Sequence, residues 1–515
     1  MSRLLWVRSE VFDHGVFNTS IRWTVAKVFN FIGTLRTHIP AQLITREQWL
    51  EVSTTKCKPA MTESEATACW SVFSVLQQSI IGNTSHDLDV RVIGIMLICQ
   101  VFSPSRLKAD QVNKNEVWNE RAVGVASPRH SPRGSPKGSM NHTPLGRGSD
   151  FTTALVAFVK HHLGYFLNIV TLSLLSEPNT IAEDEFDLLG MVMCAGTTKS
   201  NPLWKASEAL PDFLQNGSMP ATDVKQQALK LITWNDTIYT TNTAQPVQEP
   251  AAKTLNLLNL NKATWFHRPH NADIDHLNIV DCKDSTIYVT ARMAFCLISG
   301  CEGSTIVLGG VSTLCTAQNC EKVSIHVAAH CYKLENCIDT TSYLYCHIPP
   351  IITGDTRGVK LAPYNVLHSR LASVLQGSHI PLEQDFVDVW AHPVCCTAGM
   401  DETLRSRITS SEEQNSNYQF VHPTKFFPVV VPEWGPRGEP PSLVLPEVYH
   451  KAMTDQQEEM AAFHKKLSSI SNDAARKKAQ DALQGVFRDW LTSTGKARQL
   501  SDLAKYSMQL QQQKK

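Results

Sequence analysis

Residues 279–337 read IVDCKDSTIYVTARMAFCLISGCEGSTIVLGGVSTLCTAQNCEKVSIHVAAHCYKLENC. Cys282, Cys301 and Cys320 stand 19 residues apart, Cys337 follows after 17, and Gly354 occupies the corresponding place after another 17. Three residues before these markers stand Ile279, Ile298, Ala317, Leu334 and Ile351. Five after them stand Ile287, Ile306, Ile325, Ser342 and Val359, and seven after, Val289, Leu308, Val327, Leu344 and Leu361. Apolar positions two apart are the signature of a short strand with one buried face. Their recurrence at near-constant separation means that equivalent strands stack coil on coil, so the spacing predicts a parallel β-helix. The spaced leucine consensus of leucine-rich repeats is absent.

The same spacing accounts for the cysteines. Ten of the chain's 14 lie between Cys282 and Cys396. The opening MSRLLWVRSE lacks a signal-peptide pattern, so a reducing compartment and free thiols are expected. A small apolar thiol at the same bend of successive coils forms an internal ladder. Zinc binding by Cys315, Cys320, His326, His330 and Cys331 is the alternative, but no CxxC pair supports it, and no metal site is assigned.

Outward from the repeat, the 515-residue chain divides by composition. Residues 1–125 form a helical N-terminal region, with apolar runs at helical spacing around Trp70–Leu76 and Val90–Phe102 and a short strand at Leu4–Val7. Residues 126–150, rich in Ser, Pro, Gly and basic side chains, are a disordered loop whose Ser-Pro-basic repeats offer Ser127, Ser131 and Ser135 for phosphorylation. Helical patterning returns over 151–240. Phe151–Leu175, interrupted by Lys160, His161 and His162, is read as a buried helix rather than a membrane span. A linker over 241–262 precedes the β-helix at 263–366, and residues 367–446 are an extension packed on it. Residues 447–515 form an amphipathic helical tail, with Phe463, Leu467 and Ile470 and then Leu483, Phe487 and Trp490 at helical spacing. The stripe is expected to pack on the β-helix as core. The functional alternative is a docking helix that offers Lys477, Lys478 and Trp490 to a partner.

Lys and Arg number 48, as do Asp and Glu, which removes the global electrostatic case for nucleic acid. No P-loop, GxGxxG, GxSxG or HExxH motif occurs, and no cofactor is assigned.

The marked coils, ending in Ile352-Thr-Gly-Asp-Thr-Arg-Gly-Val-Lys-Leu-Ala-Pro-Tyr364, resemble the C-CAP/cofactor C-like domain shared by tubulin-binding cofactor C, the retinitis pigmentosa 2 protein and cyclase-associated proteins. PTKFFPVVVPEW, LPEVYHKAM, FRDWLTSTGKARQLSDL and the opening RLLWVRSE are similar to the tubulin-binding cofactor C domain-containing family. The resemblance implies a multidomain α + β chain with a helical N-terminal domain, a right-handed parallel β-helix and a helical tail. Cofactor C and the retinitis pigmentosa protein are GTPase-activating proteins that use an arginine finger following two glutamines. Here the stretch reads Ala328-Ala329-His330-Cys331-Tyr332-Lys333-Leu334, with both glutamines missing and Lys333 in the arginine column. Lysine keeps the charge and loses the planar fork. Lys333 is therefore read as a vestigial finger on the solvated surface, with His330 and Tyr332 beside it as candidate interaction residues. The family implies a non-enzymatic organising protein of centrosome, basal body and spindle pole, involved in microtubule organisation, Golgi positioning and cell shape. The implied partners are centrosomal proteins, tubulin or an Arf-like GTPase. The alternatives are a GTPase-activating protein for tubulin or an Arf-like GTPase, and a tubulin-folding cofactor.

Overall fold

A computed structural model describes residues 3–17, 19–82, 85–102, 149–197, 200–234, 254–267, 274–396, 418–432, 443–470, 472–494 and 496–512. Ser127, Ser131 and Ser135 and the segment 126–148 lie outside the described residues.

Each coil of the repeat is two strands joined by a tight turn around its marker. The residues before the markers, Asp281, Gly300, Asn319 and Asn336, have φ of 56°, 64°, 53° and 51°. The residues two after, Asp284, Gly303, Lys322 and Asp339, have φ of 45°, 58°, 54° and 51°. Paired left-handed positions bend the chain twice in four residues, and Asp, Asn and Gly bear that conformation at least cost. The marker side chain points inward, and each Sγ–H donates to a carbonyl of the preceding coil: Cys282 to Leu257, Cys301 to Ile279, Cys320 to Ile298 and Cys337 to Ala317, at 3.6–3.9 Å. All 14 cysteines are free.

Parallel pairing runs in the register the repeat predicts. Ile279, Ile298, Ala317 and Leu334 face one another in sequence before the turn, as do Ile287, Ile306, Ile325 and Ser342 after it. The fold is thus the expected parallel β-helix. The fifth coil departs from the predicted alignment. Leu334 faces Ile352 rather than Ile351, and Ser342 faces Leu361 rather than Val359. Gly354, with φ of 68°, fills the left-handed place of Asn336, and the marker place falls to Thr356, whose Oγ1 accepts from the Cys337 amide at 3.2 Å. One extra residue in this turn, with a hydroxyl replacing the thiol, hides the repeat from sequence spacing.

The β-helix also begins earlier and ends later than residues 263–366. Thr254–Leu258 pairs with Ile274–Val280, and Asn259 and Lys262, at φ of 55° and 50°, repeat the turn around Leu260. A leucine marker and a 22-residue step to Cys282 concealed this coil. At the other end Val394–Cys396 and Tyr418–Phe420 add a further rung to the two strand stacks.

Residues before 235 are not helical throughout. Among the described residues, six helices of ten residues or more, at Val25–His38, Arg46–Thr55, Glu63–Ile81, Val90–Cys99, Ser149–Val170 and Ala221–Leu231, accompany a sheet in the order Ser200–Trp204, Met193–Thr197, Leu4–Val7 and Ile232–Thr233. The first strand pairs with residues almost 190 positions on, which joins the two helical stretches into one core. Helix starts follow from the sequence: Thr45 and Thr62 make capping boxes with Gln48 and Glu65. Among the described residues no helix is long and apolar enough to cross a membrane.

At Gly303 an added Cβ would meet Asp284 Oδ1 at 2.5 Å in a left-handed conformation. Gly303→Val should lower unfolding free energy by about 1–3 kcal/mol in urea denaturation.

Candidate functional site

On the strands before the turn, alternate side chains point out of the β-helix, and several of them are apolar. Phe295, Leu314, Cys331, Ile351 and Cys396 belong to the same apolar core as the N-terminal helices. This wall is therefore buried on both sides, with aliphatic and thiol groups inside and the N-terminal domain outside. The segment Arg8–Phe17, with a short helix at Glu10–His14, lies across it, and the Glu63–Ile81 helix packs alongside.

Lys333 sits at the centre of this contact and corrects the sequence reading, because its side chain is not solvated. The residue is 0% exposed. Its Nζ donates to the Val16 carbonyl at 2.7 Å, pairs with Glu335 Oε2 at 3.2 Å and lies 5.0 Å from the Phe17 ring centroid. An ammonium can be fully buried only when charge and hydrogen-bonding capacity are met, and one carboxylate, one carbonyl and one ring face meet them here. Nothing within the strand itself marks the position as covered, but Val16 and Phe17 of the N-terminal domain lie over it.

Further polar contacts flank the lysine along the same seam. His14 Nδ1 hydrogen-bonds Thr316 Oγ1 at 2.9 Å, and its ring stacks on Phe295, which in turn stacks on His276. Glu10 lies with Oε1 3.2 Å from Arg8 Nη2 and 3.7 Å from His276 Nε2. Burial opposes ionisation of Glu10, but the charges of Arg8 and His276 and the hydrogen bonds outweigh it and hold the carboxyl down to about 2. The Cys331 thiol beside Lys333 is pushed up to about 12 by burial and is a packing group, not a nucleophile.

The other predicted residues do not gather here. Tyr332 points inward, buried, with its hydroxyl 2.9 Å from Ser342 Oγ. His330, within the Ser324–Glu335 strand, lies against His347, and burial lowers it to about 4. His326 is on the opposite wall, between Ser324 Oγ and Asn365 Oδ1, and Cys315 and Cys320 line the interior, so the five proposed zinc ligands point in different directions. Among the described residues no group of three or more His, Cys, Asp or Glu is placed to hold a metal ion.

The tail also departs from expectation. Tyr449 packs on the β-helix and donates to the Val421 carbonyl at 2.7 Å, but Phe463, Phe487 and Trp490 are 46%, 53% and 51% exposed. No residue of the Asp473–Ser493 helix is buried, and Lys477 and Lys478 are exposed on it. A helix of 22 residues spans ~33 Å, so it runs past the edge it docks on. Asn472 caps the second helix, its side chain accepting from the amides of Ala474 and Ala475.

Sequence reasoning missed Glu10, His14, His276 and Glu335. The available signal was the outward row itself: strands apolar on both faces require a second layer, and the segment RSEVFDHGVF carries apolar and ionisable residues suited to supply it.

The family model for tubulin binding cofactor C matches residues 274–391, which form a domain of that family. The chain is similar to TBCC domain-containing protein 1 from Gallus gallus (24% identical over 233 residues), Mus musculus (24% over 232) and Homo sapiens (23% over 233). Each match covers 44% of this chain and 39% of the relative, so well under half of the relatives' length is spanned. These relatives do not carry enzyme names. Among solved structures, Tubulin Binding Cofactor C from Leishmania major aligns over 32% of this chain and 99% of its own, with 14% identity and a TM-score of 0.25.

Lys333→Met strands the Glu335 carboxylate and should cost on the order of 3 kcal/mol, whereas Lys333→Met with Glu335→Gln should recover most of it in a double-mutant cycle. Glu10, with a folded-state value of about 2 against 4.5, stabilises the fold fully above about pH 4.5, and that contribution is lost as pH falls toward 2. At pH 6, Glu10→Gln should therefore be less stable than the wild type by on the order of 3 kcal/mol, with the gap closing in acid unfolding below pH 4.5.

Proposed function

We propose that this chain is a non-enzymatic organising protein of the microtubule cytoskeleton, acting in the cytoplasm at the centrosome, basal body and spindle pole. In this reading it contributes to centrosome and Golgi positioning and to cell shape. The observation that carries the proposal is the commitment of Lys333. A cation that neutralises a transferring phosphoryl group must reach out from the surface, and this one is held by Val16, Glu335 and Phe17 under the chain's own N-terminal domain. The tubulin binding cofactor C domain supports a cytoskeletal setting, with tubulin and centrosomal proteins as partners. The exposed Lys477 and Lys478 of the tail supply a cationic edge for acidic protein surfaces.

Two assays test this. Purified full-length chain should leave the GTPase rates of tubulin and of an Arf-like GTPase unchanged; stimulation abolished by Lys333→Ala would establish a GTPase-activating protein instead. In cells the tagged chain should concentrate at centrosomes, and Lys477→Glu with Lys478→Glu should reduce that signal several-fold without altering the thermal midpoint.

A further inference from the structure

From Tyr449 the apolar positions of the Glu447–Ser468 helix and the residues just after it are Met453, Met460, Phe463, Leu467 and Ile470, at steps of four, seven, three, four and three, with Gln456 at the seam position inside the seven-residue step. The first two turns of this stripe are occupied: Tyr449 is buried against Phe426, and Gln456 Nε2 donates to the Thr424 carbonyl at 3.2 Å. Beyond them the stripe continues into solvent at Met460 and Phe463. The next helix repeats the pattern with Ala479, Leu483, Val486 and Trp490 at steps of four, three and four, and Val486 is 69% exposed. Alternating steps of three and four are the seam of a coiled coil, which buries only against another helix. Among the described residues, two successive helices thus present one kind of unpartnered apolar seam.

The charges indicate what covers it. Residues 447–493 hold seven Lys and Arg against seven Asp and Glu. A helix that lies on an anionic membrane needs a polar face dominated by Lys and Arg, whereas the polar side of Asp473–Ser493 sets Lys477, Lys478 and Arg488 against Asp473, Asp481 and Asp489. The apolar seam itself carries no cations for an acidic partner, because Lys477 and Lys478 stand on the other side of their helix. On the exposed half of the first helix the signs are separated along its length. Asp455, Glu458 and Glu459 precede Phe463, and Lys465 and Lys466 follow it. Two such helices crossing antiparallel about Phe463 bring the acids of each against the lysines of the other, and a parallel pair brings like onto like.

We propose that residues 447–493 form a self-association surface whose occupant is a second copy of this chain, related by a two-fold axis near Phe463. The contact is isologous, with Met460, Phe463 and Leu467 at its centre and the stripe of the second helix extending it.

Sedimentation equilibrium of the full-length chain between about 1 and 50 μM tests the proposal. The wild type should be dimeric, and Phe463→Asp or Trp490→Asp should weaken association by at least ~10-fold with an unchanged circular dichroism spectrum. Charge reversal gives a check at exposed positions where folding is not at issue. Glu458→Lys with Glu459→Lys, and separately Lys465→Glu with Lys466→Glu, should each be monomeric, and mixing the two should restore a heterodimer. A wild type that remains monomeric up to 50 μM overturns the proposal. So does a dimer unaffected by the Phe463 and charge variants, or a monomer that instead binds phosphatidylserine vesicles through this seam.

Discussion

A wall of parallel strands whose outward side chains include Phe295, Leu314, Cys331 and Ile351 cannot face water, and much of this molecule is arranged around covering it. The constraint begins with the backbone. Coils stacked through parallel hydrogen bonds place equivalent residues in rows, so an apolar choice at one outward position, repeated over several coils, becomes a continuous hydrophobic strip. The N-terminal domain supplies the second layer. That domain depends on its own long-range pairing, since the pairing of Leu4–Val7 with Met193–Thr197 fixes where the adjoining segment Arg8–Phe17 starts. Fold and interface are consequently one problem, and the shared core of the two parts is its solution.

Polar groups buried in such an interface cost free energy unless each finds a partner, and they discriminate among arrangements because a shifted register leaves them unpaired. Where Arg8–Phe17 meets the β-helix, such groups include Glu10 with Arg8 and His276, His14 with Thr316, and Lys333 with Glu335 and the Val16 carbonyl. All three bring the N-terminal segment to a specific row of the β-helix. A lysine suits this role where an arginine would not, because a compact ammonium is satisfied by one carbonyl and one carboxylate, whereas a buried guanidinium presents five N–H donors. The same substitution that removes a catalytic fork therefore makes a buried internal contact feasible.

Legibility in the sequence followed the locality of the physics. The Cys282, Cys301, Cys320 and Cys337 ladder and the rows of Ile279 and Ile287 were readable because each depends on a turn of four residues and a short step to the next coil. The fifth coil was misaligned where the turn gained a residue and Thr356 replaced the thiol. The coil around Leu260 escaped notice for want of a cysteine. Lys333 was misplaced for a different reason: nothing within its strand reports that residues 8–17, more than 300 positions earlier, lie over it. The tail shows the converse error. Amphipathic spacing establishes that a stripe needs covering and does not identify the cover, so Tyr449 packs on the β-helix while Phe463 and Trp490 do not.

Occupation of the Lys333 wall also bears on where partners can bind. With one face of the β-helix taken by the chain's own N-terminal domain, the tail is left as a large surface with unsatisfied apolar area. On the Asp473–Ser493 helix, Lys477 and Lys478 point away from the stripe of Leu483, Val486 and Trp490, because steps of five and six residues from Leu483 fall on the opposite side of a 3.6-residue turn. Covering the stripe therefore leaves Lys477 and Lys478 free. A tail paired through its apolar seam would present two copies of the Lys477–Lys478 pair at once, and avidity between two weak sites can exceed either alone by orders of magnitude without any new contact. For a protein whose proposed role is organisation rather than chemistry, that geometry supplies binding strength with no pocket, cofactor or catalytic residue required.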